Sequence, residues 1–161
     1  MNSDLLVALN GFLGRASKAT YAGDGNEVET QRKGFKELEY SEADWYYRDS
    51  YTGYLRSWGQ EVVYHENKPY WTCLYGGGMN EDNMNSGFAD KTFNFLKKAL
   101  SEGEKESSFQ PRGPKEFTDD SWSYECNVDG SIDKFSGHEV IKYNNKIVFT
   151  HDFFGGLVVS N

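Results

Sequence analysis

Residues 59–79 read GQEVVYHENKPYWTCLYGGGM, and residues 137–157 read GHEVIKYNNKIVFTHDFFGGL. The second segment follows the first at an offset of 78 positions. The aligned pairs include Gly59 with Gly137, Glu61 with Glu139, Val62 with Val140, Trp71 with Phe149 and Tyr75 with Phe153. A repeat of this kind predicts two copies of one structural unit. Matched apolar residues predict matched core positions, so Val62, Trp71, Val140 and Phe149 are expected to be buried.

The repeat extends upstream of these segments after a one-residue slip. The further matches are Trp45 with Trp122, Tyr47 with Tyr124 and Gly53 with Gly130. We therefore interpret residues 4–79 and 88–159 as two copies, packed as one domain over residues 1–161. Each copy is expected to contain one helix followed by an antiparallel meander of strands. The predicted fold class is α+β.

Residue periodicity predicts where the helices and strands lie. Apolar residues at helical spacing predict helices over 4–19 and 90–100. Short runs rich in β-branched and aromatic residues predict strands at 37–40, 44–51, 54–58, 60–65 and 70–75 in the first copy, and at 115–117, 122–127, 131–135, 138–143, 147–152 and 157–159 in the second. Polar segments at 23–36 and 101–108 predict loops. Asn144 and Asn145 are typical of a tight hairpin turn.

Composition argues against several classes of partner. The net charge of −8 and the isoelectric point near 4.9 repel a phosphate backbone, so we expect no direct binding of nucleic acid and no binding to a membrane. No stretch approaches the roughly 18 apolar residues that span a bilayer. The first residues lack the basic leader of a signal peptide, and two cysteines are too few for a disulfide framework. We expect a cytoplasmic protein without a cofactor.

A series of short motifs runs along the chain. They are TYAG at 20–23, LEY at 38–40, DSYTG at 49–53, GQEV at 59–62, KPYW at 68–71, FLKKAL at 95–100, RGP at 112–114, GHE at 137–139 and GG at 155–156. In this order the motifs resemble an uncharacterised bacterial domain family, whose members often lie C-terminal to an Xre-type helix-turn-helix module. The resemblance implies a domain that senses a ligand or forms an oligomer, so a homodimer is one expected state. It implies no activity and assigns no site residues.

Glu61 and Glu139 occupy matching places in the two copies. If the copies pack about a pseudo-twofold axis, the two carboxylates could face each other and act as acid and base in a small enzyme. The alternative is that each glutamate accepts hydrogen bonds from a turn in its own copy.

Arg112 lies in a Pro-Arg-Gly-Pro segment that has no counterpart in the first copy. Such a stiff loop could present the guanidinium to a carboxylate or phosphate of a ligand, and the alternative is an internal salt bridge. Aromatic residues make up 16% of the chain, so a groove lined by rings is expected between the copies. We predict Arg112, Tyr21, Asp49, Trp71 and Tyr75 as ligand-binding residues.

His138 and His151 are the candidate metal ligands. A two-residue turn at Asn144 and Asn145 would place the two imidazoles directly opposite each other on one hairpin. Two imidazoles could bind a transition metal, but the adjacent acidic residues point to the other face and supply no third ligand. We therefore expect no metal site.

Three functions are consistent with these patterns. The first is a non-enzymatic domain that binds or senses an unknown small molecule or protein. The second is the small enzyme that uses Glu61 and Glu139. The third is an acidic interaction protein of the inhibitor or immunity kind, whose charge would suit a basic partner.

Overall fold

One antiparallel sheet with two helices on one of its faces makes up the fold. The computed structural model describes residues 3–23, 25–103 and 109–160. The segments predicted as loops at 23–36 and 101–108 include residue 24 and residues 104–108, which lie outside the described residues. Within the described ranges, no helix has the length and apolar character needed to cross a membrane.

Each helix precedes one set of four strands. Helix α1 (Ser3–Ala19) is followed by β1 (Lys36–Glu42), β2 (Trp45–Gly53), β3 (Arg56–His65) and β4 (Lys68–Met79). A 3-10 turn at Glu81–Asn83 leads to α2 (Ser86–Gly103), which is followed by β5 (Glu116–Asp119), β6 (Trp122–Ser131), β7 (Lys134–Tyr143) and β8 (Lys146–Leu157). These elements confirm the predicted α+β class and its antiparallel meanders.

Several predicted boundaries are wrong. The strand predicted at 131–135 instead spans the turn between β6, which ends at Ser131, and β7, which begins at Lys134. The separate strand predicted at 157–159 does not form, since β8 ends at Leu157. Helix α2 runs to Gly103, into the segment predicted as a loop at 101–108. Helix α2 begins four residues earlier than expected, because the side chain of Asn85 accepts a hydrogen bond of 3.0 Å from the Phe88 amide and caps the first turn. The break predicted at Gly59 does not occur, since β3 continues through this residue.

The eight strands form a single sheet in the order β1-β2-β3-β4-β8-β7-β6-β5. Strands β4 and β8 pair at its centre, so each half of the sheet is a four-stranded meander. The pairing of β3 with β4 matches the pairing of β7 with β8 when residue numbers are shifted by the 78 positions of the sequence repeat. Glu61 lies opposite Cys73, and the aligned Glu139 lies opposite His151. The halves are therefore alike in strand order and in register.

Matching turns close the inner hairpin of each half. Asn144 and Asn145 have φ angles of 49° and 63°, which confirms the predicted tight turn. The corresponding turn of the first half uses Glu66 and Asn67, with φ angles of 50° and 62°. Asparagine accommodates this left-handed conformation better than most residues, and it occupies the second position in both turns.

The register of β7 with β8 shifts by one residue after Ile141. As a result, His138 lies opposite Asp152, and Glu139 lies opposite His151. The predicted pairing of His138 with His151 is wrong, because counting back from the turn assumes an uninterrupted ladder. Neighbouring residues on a strand point to opposite faces, so the two histidines lie on opposite sides of the sheet.

The core lies between the sheet and the helices. Trp71 and Phe149 are 0% and 2% exposed, as predicted. Val62 and Val140 are only half-buried, contrary to expectation, because in both strands the preceding glutamate points toward the helices instead. The helices contribute Leu9, Phe12, Ala16, Ala89, Phe95, Leu96, Ala99 and Leu100 to the core.

Gly59 and Gly137 allow an aromatic ring to lie across the neighbouring strand. A Cβ atom at Gly59 would lie 2.3 Å from the ring of Tyr75, and one at Gly137 would lie 2.3 Å from the ring of Phe153. Both distances are far below a van der Waals contact, so the glycine that begins each repeated segment is required by this packing. In the first half, the packing brings the Tyr75 hydroxyl to Asp49.

The segment before β1 packs against the outer face of the sheet. The amides of Gln31 and Arg32 each donate a hydrogen bond of 3.2 Å to the carboxylate of Glu37. Arg48 forms an ion pair with the same buried carboxylate. This face is therefore organised independently of the helix-covered face, where the predicted site residues gather.

Candidate functional site

A cavity of about 970 Å³ lies between the sheet and the two helices. Its walls come from α1, α2, strands β2, β3, β4 and β8, and the loop before β5. The cavity is lined by six residues that the sequence analysis singled out: Tyr21, Asp49, Glu61, Tyr75, Arg112 and His151. A cavity of this size accommodates a small organic molecule.

Glu139 organises the wall of the cavity from behind and is completely buried. Arg112 donates to its carboxylate from Nε at 3.1 Å and from Nη2 at 2.9 Å. The Tyr124 hydroxyl donates at 2.6 Å, and Nδ1 of His151 lies 3.1 Å away. Burial by itself would raise the pKa of Glu139, but the charge of Arg112 and the other hydrogen bonds lower it to about 2. Glu139 is therefore a permanent anion at neutral pH.

The loop that carries Arg112 is fixed by Tyr124. The amide of Gly113 donates to the Tyr124 hydroxyl at 3.0 Å, and a Cβ atom at this position would lie 2.7 Å from the same oxygen. The Arg112 guanidinium lies 5.0 Å from the centre of the Tyr75 ring, and its side chain is 9% exposed. The sequence left two roles for Arg112, a ligand contact or an internal salt bridge. The structure contains the salt bridge, and it lies in the wall of the cavity.

Asp49 and Glu61 form a second acidic group. They lie directly opposite each other on β2 and β3 and point to the same face, so their carboxylates are cross-strand neighbours. The Tyr75 hydroxyl donates to Asp49 at 2.8 Å, and the Tyr47 hydroxyl donates to Glu61 at 2.9 Å. In register, the acidic neighbour of Glu61 is therefore Asp49 rather than Glu139.

The environment of this pair favours protonation. Burial raises the pKa of Asp49 to about 7, and the Glu61 carboxylate acts in the same direction, while Tyr75 and Arg112 oppose it. Burial also raises the pKa of Glu61 against the charge of Arg112. Two carboxylates in one buried place resist ionising together. Near neutral pH, the pair therefore exchanges a proton.

His151 presents an acceptor to the cavity. Its side chain is packed against Phe149, with ring centres 4.5 Å apart, and burial lowers its pKa, so the imidazole is neutral at pH 7. The Glu139 carboxylate can only accept a hydrogen bond, so the Nδ1 atom of His151 must carry the proton and donate it. In the neutral imidazole, Nε2 is then an acceptor. Nε2 is buried and has no hydrogen-bond partner within the described part of the chain. A bound molecule can satisfy it.

Two of the predicted site residues lie away from the cavity. Trp71 is a core residue whose indole nitrogen donates to the carbonyl of Ile132 at 3.0 Å and whose ring stacks on Phe135. His138 lies on the opposite face of the sheet, with Nδ1 2.6 Å from Asp152. Over residues 3–23, 25–103 and 109–160, no group of three or more histidine, cysteine or acidic side chains is arranged to hold a metal ion.

Tyr47 and Tyr124 are site residues that the sequence analysis aligned but did not assign. Each donates a hydrogen bond to the glutamate of its own half, Glu61 or Glu139. The glutamates thus accept within their own copies, as the alternative interpretation had it, although the donors are strand tyrosines rather than turn amides. The signal was present in the sequence, because a tyrosine and a glutamate recur together at the repeat spacing.

The chain matches one protein-family model, described as a domain of unknown function, DUF5680, over residues 49–158. Because the match covers more than half of the chain, the protein belongs to this family. The matched region contains the whole Asp49–Glu61 pair, the loop of Arg112 and the Glu139 cluster. No curated protein matches the chain. No solved structure matches it either.

Proposed function

We propose that this member of the DUF5680 family is a non-enzymatic binding domain that takes a small organic molecule into the cavity between its sheet and its helices. The observation that carries the proposal is the cavity of about 970 Å³, into which a buried and unpartnered acceptor, Nε2 of His151, is directed. A buried polar atom without a partner costs free energy, so a site that holds one is expected to be completed by a ligand.

A sensing role in the bacterial cytoplasm is the second part of the proposal. The short motifs resemble bacterial domains that often follow an Xre-type helix-turn-helix module, and a binding domain in that context reports the presence of a ligand to its DNA-binding partner. Cys73 and Cys126 are both buried thiols outside any disulfide, which is typical of proteins in a reducing compartment.

Catalysis by Glu61 and Glu139 is the competing function, and the site gives it little support. A general acid must release its proton near the working pH. Glu139 has a pKa of about 2 and is held by three partners, so at neutral pH it has no proton to give as an acid and is a weak base. The hypothesis of an acidic interaction protein stays a prediction that rests on the net charge of −8.

A thermal-shift screen of small molecules tests the proposal, with Gly14 as the site of a blocking variant. Gly14 lines the cavity from α1, and a Cβ atom added there meets nothing within 4 Å. Gly14→Phe should fill part of the cavity, while Gly14→Ala is the matched control that adds a methyl group only. Either change removes a helix glycine, so neither should destabilise the fold through helix propensity.

We expect some compounds to raise the melting temperature of the wild type and of Gly14→Ala. A ligand at 100 times its dissociation constant stabilises by about 2.7 kcal/mol. Gly14→Phe should weaken the binding of the same compounds at least tenfold. The proposal is wrong if no compound stabilises the wild type, or if Gly14→Phe binds every hit as tightly as Gly14→Ala. If the protein converts one of these compounds to a product, it is an enzyme rather than a binding domain.

A further inference from the structure

We infer that the ligand binds through a protonated amine placed between Asp49 and Glu61, with an apolar body in the rest of the cavity. The inference rests on the proposed function, because it names the chemical class of the molecule that the cavity takes. Four features of the cavity lead to it: the geometry of the acidic pair, the supply of acceptors, the balance of charge and the aromatic walls.

The acidic pair has unused capacity for hydrogen bonds. Asp49 is 4% exposed, and both it and Glu61 line the cavity. Each carboxylate receives one tyrosine hydroxyl, from Tyr75 at 2.8 Å and from Tyr47 at 2.9 Å. A carboxylate has about four lone-pair positions, so each retains positions for a further donor. A group that lies between the two strands can reach both.

The tyrosines bonded to this pair have no further proton to donate. The hydroxyl protons of Tyr47 and Tyr75 are already donated to the carboxylates. Nε2 of His151, in a side chain 4% exposed, adds an acceptor that no described residue satisfies. This observation is independent of the acidic pair and indicates a missing donor. An ammonium group supplies three donors and no acceptor, whereas a carboxylate or phosphate would add acceptors to acceptors.

The balance of charge favours the same ligand. The charge of Arg112 is matched by Glu139 in a salt bridge of 2.9 Å. The charge of Arg112 also acts on Asp49 and Glu61. No salt bridge to either carboxylate occurs between described residues, however, so the pair has no cation in direct contact. A proton offsets part of the charge when the cavity is empty, in keeping with a pKa of about 7 for Asp49. A bound ammonium group would take over this role.

Aromatic side chains form the walls beyond the acidic pair. The lining includes Tyr21, Tyr51, Tyr75, Phe93 and Phe149. Ring faces attract cations and also bury an apolar body, so they suit an amine attached to an aromatic group.

Basic residues at the edge of the cavity do not change this expectation. Besides Arg112, four basic residues of the described chain line the cavity: Arg15, Lys18, Lys36 and Lys97. The Lys97 ammonium lies 5.5 Å from the centre of the Tyr21 ring. Arg15 and Lys36 are each paired with an acidic residue. Arg15 lies 2.7 Å from Glu42, and Lys36 lies 2.8 Å from Glu27. Their charges are therefore already matched.

Three phenyl compounds of similar size and different charge test the inference on the full chain. They are 2-phenylethylamine, 2-phenylethanol and 3-phenylpropionate, titrated by NMR at pH 7.5 and low salt. We expect the amine to bind at least tenfold more tightly than the alcohol, and the carboxylate to bind most weakly. Asp49→Asn and Glu61→Gln, which keep the shape but remove charge, should each abolish the preference for the amine. Asp152→Asn, an exposed acid on the opposite face, is the matched control and should leave the preference unchanged.

The comparison of probes on the wild type decides the inference even if a variant fails to fold. Equal binding of amine and alcohol, tighter binding of the carboxylate, or no binding of the amine would overturn it. A preference that survives both Asp49→Asn and Glu61→Gln would place the amine elsewhere and would also overturn it. If the Gly14-dependent hits of the screen remain, the proposed function stands without the amine. If those hits are absent too, both fail.

Discussion

Glu61 and Glu139 occupy matching positions in the two halves and accept a hydrogen bond from matching tyrosines, yet their chemistry differs. Glu139 faces His151 across the hairpin and binds Arg112, and its pKa falls to about 2. Glu61 faces Cys73 across the equivalent hairpin, and burial raises its pKa. The backbone is the same in both places, so the difference comes from the neighbours.

The comparison shows how a buried acid acquires its role. An acid that receives a buried guanidinium becomes a fixed part of the structure, because separating the two would leave an uncompensated charge. An acid beside a second acid keeps its proton and remains able to exchange it. The first half therefore contributes the acids with raised pKa values, and the second half contributes the anion that holds Arg112 in the wall of the cavity.

Removing the charge of Glu139 should have the largest effect on stability. Glu139→Gln leaves the guanidinium of Arg112 buried without its anion, and we expect a loss of about 3 to 5 kcal/mol in the free energy of unfolding. Urea denaturation measures it. The double variant Arg112→Met with Glu139→Gln should recover part of this loss. If Glu139→Gln is as stable as the wild type, Glu139 is no more structural than Glu61 and the proposed difference between the two halves is wrong.

The pH dependence of stability should identify Asp49 as the proton-exchanging acid. Its pKa in the folded state is about 7, against an ordinary value of 3.8, so the folded state binds this proton more tightly and loses stability as the pH rises toward 7. Between pH 5 and pH 8 the wild type should lose about 2 to 3 kcal/mol relative to Asp49→Asn.

His151 changes the free energy of unfolding in the opposite direction over part of the range from pH 5 to pH 8. Burial lowers its pKa, so it costs stability as the pH falls below its ordinary value of 6.5. Because His151 is present in both proteins, the difference between the wild-type and Asp49→Asn curves removes its contribution and reports on Asp49 together with its neighbour Glu61. A difference that does not change between pH 5 and pH 8 would mean that Asp49 is ionised throughout.

Glu61→Gln should change stability far less than Glu139→Gln. The amide keeps the shape of the side chain and can still accept from Tyr47, while the repulsion of Asp49 disappears. We expect a change within about 1 kcal/mol of the wild type, measured by urea denaturation. A loss as large as that of Glu139→Gln would show that the two glutamates are equally structural.

The smallest effect should come from the outer face. His138 pairs with Asp152 there, and the two side chains are 47% and 84% exposed. Exposed ion pairs contribute little, so His138→Ala should alter the free energy of unfolding by less than about 0.5 kcal/mol. A larger change in the same denaturation assay would give the outer face a structural role that its exposure does not suggest.

Much of the fold could be predicted from the sequence because the repeat is carried by residues with strict backbone requirements. Gly59 and Gly137 make room for a ring, and Asn144 and Asn145 form a tight turn. The turn requirement is local, so it can be recognised without knowledge of the tertiary structure. The glycine requirement is a contact across strands, and only the recurrence of the glycines marks it in the sequence. The strand order of each meander follows from these short connections.

The inward direction of the glutamates could not be predicted in the same way. In strands, alternation of apolar and polar residues normally assigns Val62 and Val140 to the core. Here the acids point inward, because tyrosines and Arg112 satisfy them in three dimensions. The register of His138 was missed for a related reason, since a bulge leaves no clear mark in a single sequence. Both errors concern partners that are distant along the chain.

The pairing of β4 with β8 joins the halves much as an edge-to-edge contact joins the subunits of a twofold-symmetric dimer. In such a dimer every residue occurs twice, so an arginine beside one glutamate would stand beside the other as well. In this chain the two halves differ in sequence, and the Pro-Arg-Gly-Pro loop occurs only in the second half. A single polypeptide can therefore combine a permanent anion at Glu139 with a raised pKa at the matching Glu61, which two identical subunits in a symmetric dimer cannot do.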